Sequence, residues 1–345
     1  MNIKDYGLTE YYTGSLNEGS GLIPARIAAV HKDRYRTVSD MGEGFARLKR
    51  GSYYGSDDYP ATGDFVLMEY NAAGDSLICE TLPRKSVFVR AAVSEGRGLA
   101  RSQTVAANFD YVFIVQSLNA NFNLNRMQRY LSMAWESGGI PVLILTKCDL
   151  VPNAGEYADK ARETAPGTDV YALSSLTGEG TDGIKKYFSK GKTIVFLGSS
   201  GVGKSTLVNT LCGREVMKTS AVRESDSRGR HTTVTRSLIT LPGGAMVIDT
   251  PGMRELGMFD AGEGIGKTFA DAEALTRKCR FPDCTHTVEP GCALLAALEA
   301  GTLDRDRYEQ YLKLGRESLY NSDPGEYLKE KRNKFRQIAK ENRRR

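Results

Sequence analysis

The stretch that most constrains this chain is Gly198-Ser199-Ser200-Gly201-Val202-Gly203-Lys204-Ser205. It directly follows the apolar run Thr193–Leu197 and opens the helical run Lys204–Leu211. A glycine-rich turn between a strand and a helix aims backbone N–H groups inward, and the helix start adds a dipole that favours anions. The spacing predicts a phosphate cradle. Lys204 would reach the outer phosphates of a nucleotide, and the Ser205 hydroxyl, next to Thr206, would ligate magnesium. A loop of this kind joins a strand of an α/β sheet to the helix that follows, so its flanks are constrained too.

Those flanks have the required alternation. The short apolar runs Tyr111–Val115, Val142–Leu145, Val170–Leu173 and Thr193–Leu197 read as strands buried on both faces. Between and after them lie the helical segments Leu124–Ser137, Tyr157–Thr164, Ile184–Phe188 and Lys204–Leu211. The pattern predicts a doubly wound domain over residues 102–262. Its methionines and aromatic residues, including Trp135, read as core filling.

Three further motifs complete a nucleotide site. Asp249-Thr250-Pro251-Gly252 ends the apolar run Met246–Ile248, so Asp249 can hold magnesium through water and the Gly252 N–H can approach a γ-phosphate. Thr146-Lys147-Cys148-Asp149 ends the run Val142–Leu145. Its carboxylate can accept both the N1–H and the exocyclic amine of guanine, whereas adenine would leave Asp149 unpaired. Lys147 can pack over the purine. Asparagine usually stands where Thr146 is, so support on the far edge of the base is weaker. Ser174, Ser175 and Leu176, in Ser-Ser-Leu-Thr-Gly, form the loop expected to close over guanine's O6. The base motifs precede the phosphate cradle here, the reverse of the usual order, so the domain reads as a circularly permuted P-loop GTPase. Its old ends are joined by the connector Ser189–Lys192.

Between the cradle and Asp249 lies the Gly-, Ser- and Arg-rich segment Arg223–Arg236. Thr232 or Thr233 there can complete the magnesium shell and sense the γ-phosphate, as a switch loop does. The residue after Gly252 is Met253, where many GTPases carry a water-orienting glutamine. Intrinsic hydrolysis is therefore expected to be slow. His231, positioned by a partner, is the candidate substitute that orders the attacking water, with Lys204 and Asp249 as the other catalytic residues.

The rest of the chain divides around this domain. Residues 1–21 are polar and are expected to be loosely ordered. Residues 22–95 hold five short strand-like runs, Ile23–Val30, Arg34–Ser39, Gly44–Leu48, Asp64–Tyr70 and Leu77–Leu82, which suit a small barrel of OB type or an SH3-like one. From residue 263 to 345 the strands stop. There Cys279-x4-Cys284-x-His286-x5-Cys292 supplies three thiolates and an imidazole, the donor set of a closed, structural zinc site. The last twenty residues carry nine Lys or Arg against three Glu, while the formal charge of the whole chain is only +5. One basic tail on a near-neutral body suggests a polyanion partner. No stretch approaches the length of apolar sequence that spans a bilayer, and Met1–Tyr12 lacks the pattern of a secretory signal, so a cytoplasmic monomer is expected, with no membrane partner.

Together the barrel, the permuted motifs, the Cys/His spacing and the stretches Pro83-Arg84-Lys85-Ser86, Ala106-Ala107-Asn108-Phe109-Asp110 and Gly229-Arg230-His231-Thr232-Thr233 resemble one family closely over nearly the whole chain. This is the bacterial circularly permuted GTPase of small-ribosomal-subunit biogenesis, the RsgA type. The resemblance implies an α/β P-loop GTPase domain with an N-terminal OB-type barrel and a small C-terminal helical zinc-binding domain. It also implies GTP turnover stimulated by the small (30S) subunit, and a checkpoint role in releasing other assembly factors. In that context Lys329, Lys331, Arg332, Lys334, Arg336, Arg343, Arg344 and Arg345 are candidate contacts to rRNA phosphates. Loss of the γ-phosphate at Gly252 is expected to move the zinc-binding segment. Three other readings stay open on the sequence: an rRNA-binding chaperone with a vestigial site, a permuted GTPase of the large subunit, and a P-loop kinase of a metabolite.

Overall fold

Five strands near the start of the chain close on themselves. In the computed structural model, which describes residues 1–14, 20–53, 59–91, 102–119, 122–217, 236–249 and 261–322, these are β1 (Ile23–Val30), β2 (Tyr35–Ser39), β3 (Gly42–Leu48), β4 (Phe65–Glu69) and β5 (Ser76–Thr81). Antiparallel pairs β1·β2, β2·β3, β4·β5 and β1·β4 and one parallel pair, β3·β5, complete the ring β1-β2-β3-β5-β4-β1. This is the five-stranded barrel of OB type, and it decides between the two barrels that the strand spacing allowed. Alternation along β1 sends Ala25 and Ile27 inward to meet Tyr35, Ala46, Val66, Met68 and Ile78.

The first fourteen residues depart from the expected loose segment. A 3-10 turn, Ile3–Tyr6, and one helical turn, α1 (Glu10–Thr13), carry Ile3, Leu8 and Tyr12 onto Phe65, Leu67 and Leu82 of the barrel. Three apolar residues among polar ones are enough to seat a short segment when a complementary face is waiting, and the sparse spacing hid them from periodicity.

The α/β region follows through an antiparallel hairpin, β6 (Val87–Ala91) with β7 (Ser102–Ala107), which the sequence did not announce. The parallel strands are β8 (Tyr111–Ser117), β9 (Ile140–Thr146), β10 (Asp169–Leu173), β11 (Thr193–Leu197) and β13 (Met246–Asp249), with β12 (Ser237–Thr240) antiparallel to β13. Helices α2 (Leu124–Glu136), α3 (Ala154–Thr164) and α4 (Lys204–Cys212) lie between them in sequence. The segment expected as a helix at Ile184–Phe188 is instead a 3-10 turn over Thr181–Tyr187. The sheet order is β10-β9-β8-β11-β13-β12, continued by β1 of the barrel through the antiparallel pair Ala29↔Ser237. Strand β11, which leads into the phosphate cradle, is thus central. Its residues Ile194 and Phe196 pack with Phe113, Val115, Val142, Ile144, Val202, Leu207 and Val247.

The chain forms two compact units, Met1–Tyr130 with Ser137–Leu256, and Leu131–Glu136 with Gly257–Arg345. The second unit contains α5 (Gly262–Thr268), α6 (Ala270–Thr276), α7 (Ala293–Glu299) and α8 (Arg305–Ser322), with no strand among its described residues. Ile265, Phe269, Ala272, Leu294, Leu303 and Leu314 are buried within it.

Candidate nucleotide site and metal centre

The C-terminal ends of parallel strands are where α/β sheets bind ligands, because the loops there leave a crevice and the following helices aim their N-termini at it. Strand β11 ends at Leu197, and the cradle turns back on itself at once. Gly198 has φ +152°, and a Cβ there would stand 2.4 Å from the Val115 carbonyl of β8, so only glycine fits this close approach. Gly201 and Gly203 take φ +73° and +95°, and Gly203 caps the start of α4. Lys204 donates to the carbonyls of Gly198 and Ser199, both at 2.7 Å, which holds its ammonium across the mouth of the loop. Val202 is buried, whereas Ser199 and Ser205 are half-buried and Ser200 and Thr206 are exposed.

The base motifs end strands β9 and β10 of the same sheet, and Thr146 and Lys147 are bonded to the cradle. Thr146, at the end of β9, is buried, and its hydroxyl donates to the Val202 carbonyl at 2.6 Å, with the Gln116 carbonyl at 3.2 Å. Lys147 adopts a left-handed conformation, φ +60°, and its ammonium donates to the Gly201 carbonyl at 2.9 Å. Cys148 is buried, and burial first, then Glu179, pushes its thiol pKa up; Asp149 beside it is exposed. In the loop after β10, the buried Ser174 hydroxyl accepts from the N–H groups of Leu176 and Thr177, both at 3.2 Å. The Ser175 carbonyl accepts from Thr210 of α4 at 3.1 Å, and the Ser175 hydroxyl is buried with no hydrogen-bond partner. Leu176 projects fully into solvent. Thus the cradle and both base loops converge at one end of the sheet, and the backbone of Asp249 closes β13 at that same end, opposite Ser237.

Other expected site residues lie outside the described residues: His231, Thr232 and Thr233, Gly252 with Met253, and the basic tail from Lys329 to Arg345. Both borders of the intervening segment are nonetheless fixed. Asn209 of α4 accepts from the N–H groups of Val216 and Met217 and donates to the Met217 carbonyl at 2.7 Å. On the far side, the Thr62 hydroxyl of the barrel donates to the Arg236 carbonyl at 3.3 Å. Sequence reasoning missed Gln116, Asn209 and Thr62, because each acts through a contact distant in sequence and none belongs to a motif.

The second unit gathers Cys279, Cys284, His286 and Cys292 so that one donor atom from each lies within 4.8 Å of all the others. Cys279 Sγ is 3.5 Å from His286 Nδ1 and 4.0 Å from Cys292 Sγ, and Cys292 Sγ is 3.6 Å from His286 Nδ1. A tetrahedral zinc ion with ordinary bond lengths needs about 3.8 Å between sulfurs and about 3.6 Å from sulfur to nitrogen. The donor set therefore fits such an ion. His286 sits at φ +59°, and its carbonyl accepts from the Tyr308 hydroxyl at 2.6 Å. Glu289, inside the five-residue gap before Cys292, organises the loop. It accepts from the N–H groups of Thr285, Thr287 and Val288 at 3.0 to 3.2 Å and from the Thr285 hydroxyl. Burial opposes its charge, but these donors outweigh it and hold its pKa down to about 2. The single carboxylate in the gap between His286 and Cys292 was the signal available for it.

Among the described residues no helix is long and apolar enough to cross a membrane. Comparison with known proteins agrees with the geometry. Residues 81–259 match the family described as RsgA GTPase. A small ribosomal subunit biogenesis GTPase, RsgA 2 of Listeria monocytogenes serotype 4b (strain F2365), is 44% identical over 93% of this chain and 91% of its own length. In fold, the chain is similar to the crystal structure of YjeQ from Thermotoga maritima, with a TM-score of 0.64 at 24% identity over 86% of this chain and 99% of that one. It is likewise similar to YloQ, described as a circularly permuted GTPase, with a TM-score of 0.60 at 24% identity over 88% of this chain and 98% of that one. A central strand that delivers a phosphate cradle after its base motifs, a barrel before them and a Cys3His centre beyond them thus have one source: the chain belongs to the RsgA family of small ribosomal subunit biogenesis GTPases.

Proposed function

We propose that the crevice at the ends of β9, β10, β11 and β13 binds GTP and that its turnover is tied to docking on the small ribosomal subunit. The observation that carries this reading is the convergence of Thr146 and Lys147 on the cradle, and of Ser175 on the helix that the cradle opens, through direct hydrogen bonds. Gly198 to Thr206 hold the phosphates, Asp149 accepts from the Watson–Crick edge of guanine, and the loop Ser174–Leu176 closes on O6. Ser205, Asp249 and Thr232 or Thr233 would hold magnesium, which neutralises phosphate charge when bound. The phosphates draw the Lys204 ammonium from two loop carbonyls to the β–γ bridge, where charge grows as the bond breaks, so the lysine stabilises the transition state more than bound GTP. Met253 has no proton to share with water; His231, ordered by the ribosome, supplies that function.

Cys279, Cys284, His286 and Cys292 would hold zinc as a structural ion, since all four positions are filled by protein and none is left for chemistry. The division of labour is a barrel at 22–95, a permuted GTPase domain at 102–262 and a zinc-binding segment at 263–345. The basic tail, Lys329 to Arg345, adds rRNA phosphate contacts, and the protein works as a cytoplasmic monomer that helps other assembly factors leave the subunit.

The test is GTP turnover by the purified protein alone and with small or large ribosomal subunits. Stimulation by the small subunit, abolished in Lys204→Ala and reduced at least about a hundredfold in His231→Ala, is the expected result. Stimulation by the large subunit alone would overturn the partner. Unchanged stimulated turnover in His231→Ala would remove that residue from the chemistry.

A further inference from the structure

Position 146 is where the guanine motif of GTPases usually carries asparagine. An asparagine amide has two N–H donors and one acceptor, so it can brace a loop and still reach a base. Threonine has one O–H. In this chain that single proton lies between two carbonyls, Val202 at 2.6 Å in the cradle and Gln116 at 3.2 Å at the end of β8. Both are acceptors, so neither can return a proton to the hydroxyl. Thr146 is only 2% exposed, and a Cβ on Gly203 would come within 3.9 Å of its oxygen, which shows how closely the cradle wraps it.

Guanine N7, on the edge away from Asp149, is an acceptor only. Facing it, a hydroxyl whose proton is already committed offers a second acceptor and no bond. We infer that Thr146 is a positioning residue that braces the phosphate cradle, and that this chain selects guanine by its Watson–Crick edge and O6 while leaving N7 unread. The substitution keeps the asparagine's structural duty and gives up its base contact. The substrate class accepted is therefore wider than in an asparagine-bearing site and includes guanine nucleotides in which N7 is replaced by carbon. Lys147, bonded to Gly201 at 2.9 Å, is the second brace between the same two loops, so the cradle does not depend on the base for its shape.

This inference rests on the reading of Asp149 as the guanine acceptor, and the experiment separates the two. Competition binding on the full chain compares GTP, 7-deaza-GTP and inosine triphosphate, which keeps N7 and O6 but lacks the exocyclic amine. The wild-type protein is expected to bind 7-deaza-GTP within about twofold of GTP and inosine triphosphate at least about fivefold more weakly. Thr146→Val, which keeps the shape and removes the proton, should weaken GTP and 7-deaza-GTP by the same factor of about five or more, and Thr146→Ser should restore both. A wild-type preference for GTP over 7-deaza-GTP of fivefold or more would overturn the inference, as would full GTP affinity in Thr146→Val. Equal binding of inosine triphosphate and GTP would instead defeat the Asp149 reading. The wild-type comparison needs no variant to fold.

Discussion

Three residues other than glycine adopt a left-handed backbone among the described residues: Asn108, Lys147 and His286. Such conformations cost of order 1 kcal/mol or more and persist where surrounding contacts fix them. Lys147 and His286 belong to the two sites. Asn108 belongs to neither, yet its buried amide accepts from the Tyr12 hydroxyl at 3.2 Å and the Lys85 N–H at 3.1 Å and donates to the Gly63 carbonyl at 3.3 Å. Its own carbonyl accepts from Arg26, a buried guanidinium held by carbonyls, the Met246 sulfur and the Phe65 ring, with no carboxylate ion-paired to it among the described residues, and burial lowers that arginine's pKa to about 10. We expect Asn108→Ala to lose roughly 2–4 kcal/mol in urea unfolding, and Asn108→Gly about 1 kcal/mol less, because glycine recovers the backbone term. Next to it, Asp110 accepts from Lys85, Lys192 and the Thr193 N–H. Burial pushes its pKa up, but those three donors prevail and hold the carboxyl below its usual range. A depressed folded pKa means the stabilisation is complete above the ordinary carboxylate value, about 3.9, and is lost as pH falls through the folded value. Asp110→Asn should therefore cost about 2 kcal/mol at pH 7, and the gap to wild type should begin to narrow as unfolding is repeated below about pH 4.

At the scale of elements, the strands were the legible part of the sequence. Runs such as Thr193–Leu197, apolar after its first residue because it is buried on both faces, stood out without alternation, and their ends were marked by the glycines and carboxylates of the site. Several elements escaped. Strand β12 is only four residues long and half polar, and it exists because β13 and β1 flank it. The β6·β7 hairpin has its two strands far apart in sequence, so no short turn signal links them. The turn at Thr181–Tyr187 has helical composition, but Gly180 before it and Gly183 within it, the latter tight against Tyr171, favour the narrower winding. In the site, residue identity revealed what motifs could reveal. It did not reveal that the Thr146 hydroxyl is spent on Val202, since that contact depends on how two loops meet. Gly198 tests the link between element and site. Alanine there would put a methyl 2.4 Å from a β8 carbonyl, so Gly198→Ala should weaken GTP binding at least about tenfold and lower the melting temperature, both measurable by nucleotide titration and calorimetry.

At the scale of the whole molecule, each unit is held by its own means. The first has an extended sheet and several apolar clusters; the second has three helices of two turns each, one longer helix, α8, and the Cys3His centre. Where ligands must be deprotonated and gathered, metal binding free energy becomes folding free energy. Stripping the metal with a strong chelator under reducing conditions should thus open residues 279–299 to hydrogen exchange, while the amides of β8, β9 and β11 keep their protection. Exchange mass spectrometry of the full chain reads both at once, and loss of protection in β11 would argue against this division. The strand order also has a consequence for how the molecule is made. The barrel can close as soon as β5 is synthesised, because its ring uses no later strand. The α/β sheet cannot: β8, β9 and β10 emerge first, and β8 keeps one bare edge until β11 arrives to fill the centre. A nascent chain therefore carries a half-built sheet with an open seam at its middle, and an unpaired strand edge is an invitation to pair wrongly. The protein is most in need of protection from its neighbours while it is still being translated: Thr193–Leu197 covers β8 but bares its own far edge, and only the arrival of the short segment Met246–Asp249 ends that exposure.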